Sequence, residues 1–175
     1  MKEYYDSSIK YLKEIFEMGY IPSRDFSSYK EFFVANCFEH ACFNLTDKQL
    51  KSPKLINSFF SDFYDKFSTE KTEDNMLNLI TDTGLKIEKS NRKTILKNQW
   101  KISLYFSLNP GYITYINDFH FFLQTYNSNI WTSKMGFLDN KVYTHHRLNT
   151  NFFHQPYLYQ RYANYIITNP NAPEK

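Results

Sequence analysis

Apolar positions in the first half of the chain recur at helical spacing, and in the second half they alternate. Ile9, Leu12 and Phe16 form one stripe, with Ser7 and Ser8 in front as caps and Gly19 behind as a stop, which predicts a first helix. A second helical stretch is predicted over 29–44. Its centre, FFVANCFEHACF, is apolar almost all round, as a helix buried in the middle of a domain would be. Thr46 and Asp47 cap the next segment, and Ser52-Pro53 opens the clearest amphipathic pattern, Leu55, Ile56, Phe59, Phe60, Phe63 and Phe67. A further helix is predicted from about Glu73 to Thr83, stopped by Gly84.

From Leu85 onward the period falls to two. Ile102, Leu104 and Phe106 share one face of a strand over 100–108, and Phe119, Phe121 and Leu123 share one face of a strand over 117–125. Asn109-Pro110-Gly111 is the turn expected between them in an antiparallel pair. Shorter strands are predicted at 85–87, 130–133, 141–144 and 164–168. Helices first and strands second is the order of an α+β fold, with N-terminal helices packed on a C-terminal, mainly antiparallel sheet. The whole chain, 1–175, reads as one domain with a helical half over 1–84, a sheet half over 85–168 and a loose tail over 169–175.

Composition narrows the function classes. The 17 Phe, 15 Tyr and 2 Trp mean that rings fill the core. Phe, Tyr, Asn, Lys and Ile rise together in AT-rich genomes, so the aromatic share does not by itself mark a binding surface. A net charge of +3 with interspersed Lys and acids lacks the basic clusters of nucleic-acid binders. The basic run from Lys86 to Lys101 reads as a solvated face. Acids interrupt the N-terminus where a signal peptide would be apolar, and no apolar run reaches membrane-spanning length. The expected setting is the cytoplasm, of the producing cell or of a cell to which the protein is delivered. Four glycines leave no room for a phosphate-cradling loop, and no nucleotide, serine-elbow or zincin motif is present. No cofactor is expected.

Cys37 and Cys42 lie on different faces of the same predicted helix, which argues against a disulfide between them. A cysteine nucleophile needs a stabilised thiolate, a histidine within reach and a third group to orient that histidine. Cys37 meets the first need if the helix proper begins near Ala35, and His120, on the strand face opposite Phe119, is the candidate base. Asp118 shares the face of His120, but neighbours on one strand face are roughly 7 Å apart, too far for a direct hydrogen bond. Cys42 reads as core. His40, three residues after Cys37, is an alternative base or a partner in a metal site, for which His145 or His146 and His154 are the further ligands to hand.

The ordered motifs Asn36-Cys37-Phe38-Glu39-His40-Ala41, WKISLYF, DFHFFLQ, WTSKMGF and YANYIITNP resemble those of a group of bacterial and phage-type proteins. Cysteine on a helix and histidine on a following sheet is similar to papain-like cysteine peptidases of the NlpC and CHAP kind. The resemblance covers about 34–140 and 162–170. It implies papain-like topology and a cysteine hydrolase or acyltransferase acting on an amide or thioester of a protein or peptide substrate. Cys37 would then be the nucleophile and His120 the general base. The Cys37 backbone N–H with Asn36 or Gln99 would hold the oxyanion, and Ser133, Asp139 or Asn140 would orient the base. Trp131 and Ser133 would line the substrate side. The chain lacks the wall-binding repeats of peptidoglycan hydrolases. The competing expectation is a non-enzymatic inhibitor or effector that docks a protein partner through tyrosines Tyr157, Tyr159, Tyr162 and Tyr165.

Overall fold

The computed structural model describes residues 2–22, 36–45, 69–109, 112–134, 142–154 and 157–174. Among these residues three helices, α1 (Lys2–Glu17), α2 (Cys37–Cys42) and α3 (Thr69–Asp82), accompany seven strands. The strands are β1 (Lys86–Lys89), β2 (Gln99–Asn109), β3 (Tyr112–Thr125), β4 (Trp131–Lys134), β5 (Val142–His145), β6 (Asn151–His154) and β7 (Tyr157–Thr168). They form one antiparallel sheet in the order β1-β7-β2-β3-β4-β5, with β6 also paired to β7. This is the α+β class that the order of helical and strand patterns predicts. The amphipathic segment 52–67, the caps Thr46 and Asp47 and the 29–35 part of the second helical stretch lie outside the described residues.

Two boundaries differ from the sequence pattern for identifiable reasons. The first helix starts at Lys2 and not at the serines, because nothing between Lys2 and Asp6 breaks a helix; Ser8 is buried in its middle. Within the described residues α2 begins at Cys37, because Asn36 caps it. The Asn36 Oδ1 accepts from Glu39 N–H at 2.9 Å while Glu39 Oε2 accepts from Asn36 N–H at 2.7 Å, a reciprocal capping box.

The core lies between the helices and one face of the sheet. Leu12 and Phe16 of α1, Phe38 and Cys42 of α2 and Met76 and Ile80 of α3 meet Trp100, Ile102, Leu104, Phe121, Leu123 and Tyr165. Trp100 donates its indole N–H to the Cys42 carbonyl at 3.1 Å, which fixes α2 against β2. Asn169, just past β7, donates to the carbonyls of Phe16 and Tyr20 at 2.9 and 2.8 Å and so satisfies the open end of α1.

The opposite face of the sheet is also covered. Tyr105, Phe122 and Tyr159 form a second buried cluster, against which Phe152, Leu148 and Trp131 pack. The chain reaches it by a turn at 146–150 that leads from β5 across to β6. A bulge in β7 makes this possible. Leu104 pairs with Ala163 but Tyr105 pairs with Arg161, so Tyr162 is the extra residue and the facing of the strand inverts there. Ala163, Tyr165 and Ile167 therefore face the helices, whereas Tyr159 belongs to the second cluster. Arg161 donates to the Tyr105 hydroxyl at 2.9 Å and to the carbonyls of Leu148 and Asn149 at 2.7 and 3.0 Å, pinning the turn down. Among the described residues no helix is long and apolar enough to cross a membrane.

Candidate functional site

On the helix side, α2 brings a polar group into the core. Its residues Cys37, Glu39 and His40 are all buried, as are Thr132 and Lys134 of β4. The Thr132 hydroxyl donates to the Leu123 carbonyl at 3.4 Å, so its oxygen is left to accept from His40 Nε2 at 3.1 Å. That assigns His40 the Nε2–H tautomer. Burial, with the Lys134 ammonium nearby, drives the His40 pKa down to about 3. Burial pushes Glu39 up to about 8, against the pull of the Asn36 N–H and Lys134.

These two shifts act on stability in opposite directions. Folded Glu39 keeps its proton to about pH 8 against an ordinary value of 4.5, so stability falls as pH rises through that interval. Folded His40 stays neutral to about pH 3 against an ordinary 6.5, so stability is lost as pH falls from 6.5 towards 3. Their sum is greatest between about pH 4.5 and 6.5. Glu39→Gln is expected to remove the alkaline decline: urea midpoints of variant and parent should coincide near pH 4.5, with the variant higher above pH 8. A variant curve parallel to the parent's across this range would show that Glu39 does not cause the decline.

Cys37 is the first residue of α2, and its Sγ is directed at the Phe119 carbonyl oxygen on the edge of β3, 4.0 Å away. Burial and the Asp118 carboxylate push its pKa up to about 12, and the backbone N–H groups of Phe121 and Phe38 only partly offset them. Cys42 is free and buried, its thiol pushed well above the ordinary value by burial.

His120 leaves β3 on the other face. Its ring packs at a steep angle to those of Phe122, Phe152 and Tyr159, with centroids 4.9, 5.5 and 6.1 Å apart. Asp118 shares this face, as the alternation predicts, but it accepts from the Tyr159 hydroxyl at 2.6 Å and from its neighbour's N–H, at Phe119, at 2.8 Å. The Cys37 thiol thus reaches the β3 backbone at Phe119, while the His120 ring packs among Phe122, Phe152 and Tyr159.

The side that holds His120 contains a cavity of about 260 Å³. His120, Phe122, Ser133, His145 and Phe152 form its inner wall, and Arg147 and Phe153 are exposed at its mouth. The Ser133 hydroxyl and His145 Nε2 are 3.1 Å apart, and burial lowers the His145 pKa, favouring a neutral ring. The volume is just under the roughly 300 Å³ at which ligand pockets for drug-sized molecules begin, so it suits one ring or side chain.

Of the residues singled out in the sequence, His120 and Ser133 therefore meet in one cavity. Asn36 stays beside Cys37 as its helix cap. Trp131 packs half-buried against the second cluster. Gln99 is placed at the far end of β2, where its amide binds Arg92, the Leu96 N–H and Thr168. That is about 20 Å along the strand from the level of His120, at roughly 3.3 Å per residue. Asp139 and Asn140 lie outside the described residues. No three His, Cys, Asp or Glu side chains come together as a metal site among the described residues. The tyrosine set is not an exposed surface: Tyr159 and Tyr165 are buried and Tyr157 and Tyr162 half-buried.

The sequence pattern does not announce Arg147, His145 as a cavity residue or the Tyr105–Arg161 anchor. One signal was present. DFHFFLQ is apolar on both strand faces apart from its ends and the histidine, the mark of a strand covered on both sides. No protein family, curated protein or solved structure matches the chain.

Proposed function

We propose that this protein acts by binding a protein or peptide partner across the second face of its sheet, and not by thiol catalysis. The state of Cys37 carries this reading. A nucleophilic cysteine needs an electropositive, partly open setting. This thiol is buried, has the Asp118 carboxylate for its main charged neighbour and is raised to about 12. The second face offers what a partner needs. Tyr143 and Phe153 are 41% and 64% exposed and lie at the cavity mouth. Exposed apolar groups around a concave, ring-lined site are the usual form of a docking surface.

Iodoacetamide labelling at neutral pH tests this. Cys37 in the native protein is expected to label at least about 100-fold more slowly than in the urea-unfolded chain, since its thiolate is suppressed by roughly three pKa units, tenfold each. His120→Ala should not slow it further.

A papain-like cysteine hydrolase or acyltransferase is the second reading. Its support is the place of Cys37 at the first turn of a helix, next to the strand that carries His120. It predicts the reverse result: rapid native labelling of Cys37, slowed by His120→Ala. That outcome would overturn the binding function.

A further inference from the structure

Resting on that binding function, we infer that the partner segment inserts an aromatic side chain into the cavity and places an adjacent carboxylate on Arg147. The volume admits one ring system, and the walls offer ring faces and edges from Phe122, Phe152 and Tyr105. Phe122 already packs near-perpendicular to His120 and His145, with ring centroids 4.9 and 5.1 Å apart, so ring-on-ring packing is the geometry for which this site is built. An inserted indole or phenol also finds a hydrogen-bonding group at the base, the Ser133–His145 pair, with Ser133 1% exposed.

The charge at the mouth selects the flanking residue. No Asp or Glu lines the cavity, and Arg147 is the cation among its lining residues. Arg147 is exposed and has no ion pair among the described residues, which leaves its guanidinium fork open to a carboxylate. The overall charge of +3 acts in the same sense and steers acidic segments towards the protein. The exposed rim decides between a free aromatic acid and a polypeptide. A small acid would fill the cavity and leave the exposed Tyr143 and Phe153 at its mouth in water, whereas a polypeptide covers them.

Two probes separate these sources: a short capped peptide with Trp between two Glu residues, and indole-3-acetate. Binding is read by calorimetry and by NMR shifts of residues lining the cavity. The peptide is expected to bind more tightly than indole-3-acetate. Replacing its Glu residues by Gln should weaken it about tenfold, the size of one charge-assisted contact. Arg147→Ala should abolish that difference. Phe153→Ser, at the exposed cavity mouth, should weaken the peptide by a larger factor than indole-3-acetate.

Equal binding of the Glu and Gln peptides, or an unchanged difference in Arg147→Ala, overturns the carboxylate contact. Peptide binding no tighter than that of indole-3-acetate, with Phe153→Ser without effect, makes the ligand a free aromatic acid and overturns the polypeptide. No shift at the cavity with either probe, while Cys37 remains unreactive, overturns this inference and leaves the binding function standing. A reactive Cys37 overturns the binding function whatever the titration gives.

Discussion

Trp100→Ala is expected to lower stability by about 3–5 kcal/mol, the range for removing a large buried aromatic, and the melting temperature by roughly 10–15 °C for a chain of this size. Three effects combine at this position. The side chain is 0% exposed in the middle of the core, so its loss leaves a cavity that the helices and sheet cannot close. Its stacking against Phe16, with centroids 6.4 Å apart and planes 23° from parallel, is lost from the α1 contact. The Cys42 carbonyl is left buried without its indole donor. Trp100→Phe separates these contributions, because it keeps a ring and loses the donor; its cost should be near 1–3 kcal/mol. Chemical denaturation followed by circular dichroism measures both. A Trp100→Ala variant within 1 kcal/mol of the parent would mean that α2 is not held against the sheet in this way.

Glu73→Ala is the second large effect, expected at about 2–4 kcal/mol, because one carboxylate serves three donors. The Tyr162 hydroxyl donates to Oε2 at 2.6 Å, Lys89 Nζ to Oε1 at 3.0 Å, and the Tyr165 hydroxyl also to Oε1. Through them α3 is tied to both β1 and β7. Tyr165 is 0% exposed, so without Glu73 its hydroxyl is stranded in the core. Burial pushes the Glu73 pKa up, but the hydrogen bonds from Tyr162, Tyr165 and Lys89 outweigh it and hold the carboxyl below its ordinary value. The stabilisation is therefore present above the ordinary carboxylate range and is lost as pH falls through the folded value. The difference between parent and Glu73→Ala should shrink in acid. A difference that persists unchanged at low pH would show that the charge of Glu73 contributes nothing.

The α+β order and the inward faces of β2 and β3 were legible in the sequence, because one buried face imposes a strict period of two. Ile102, Leu104 and Phe106, with Phe119, Phe121 and Leu123, face the helices as that period requires. The same rule read alone misplaces the early part of β7, since a one-residue bulge at Tyr162 leaves no mark in the pattern of apolar positions. The β6 strand was missed for a different reason. Four residues joined to the sheet through the far side of β7 carry almost no periodic signal. Pairing Cys37 with His120 relied on their order along the chain. Order places a cysteine helix beside a histidine strand, but the side from which each group approaches depends on strand facing, which order alone does not give. The Ser133–His145 contact joins diagonal positions of a β4–β5 pair whose register no local residue announces.

The Asn169 bridge has a consequence for how the chain reaches this state. It joins positions 153 residues apart, so the end of α1 is sealed only after the last strand is in place. β7 is also the strand between β1 and β2, with β6 on the same edge as β1. During synthesis the first helix and half of the sheet must therefore wait for residues made last, with Trp100 and Phe121 lacking a closed core. Such distant pairings close slowly because loop entropy is lost before any contact compensates it. A nascent chain released before residue 157 would keep the β2-β3-β4-β5 pairing but leave β1 and β6 without the strand they pair with, and would be a natural client for chaperones.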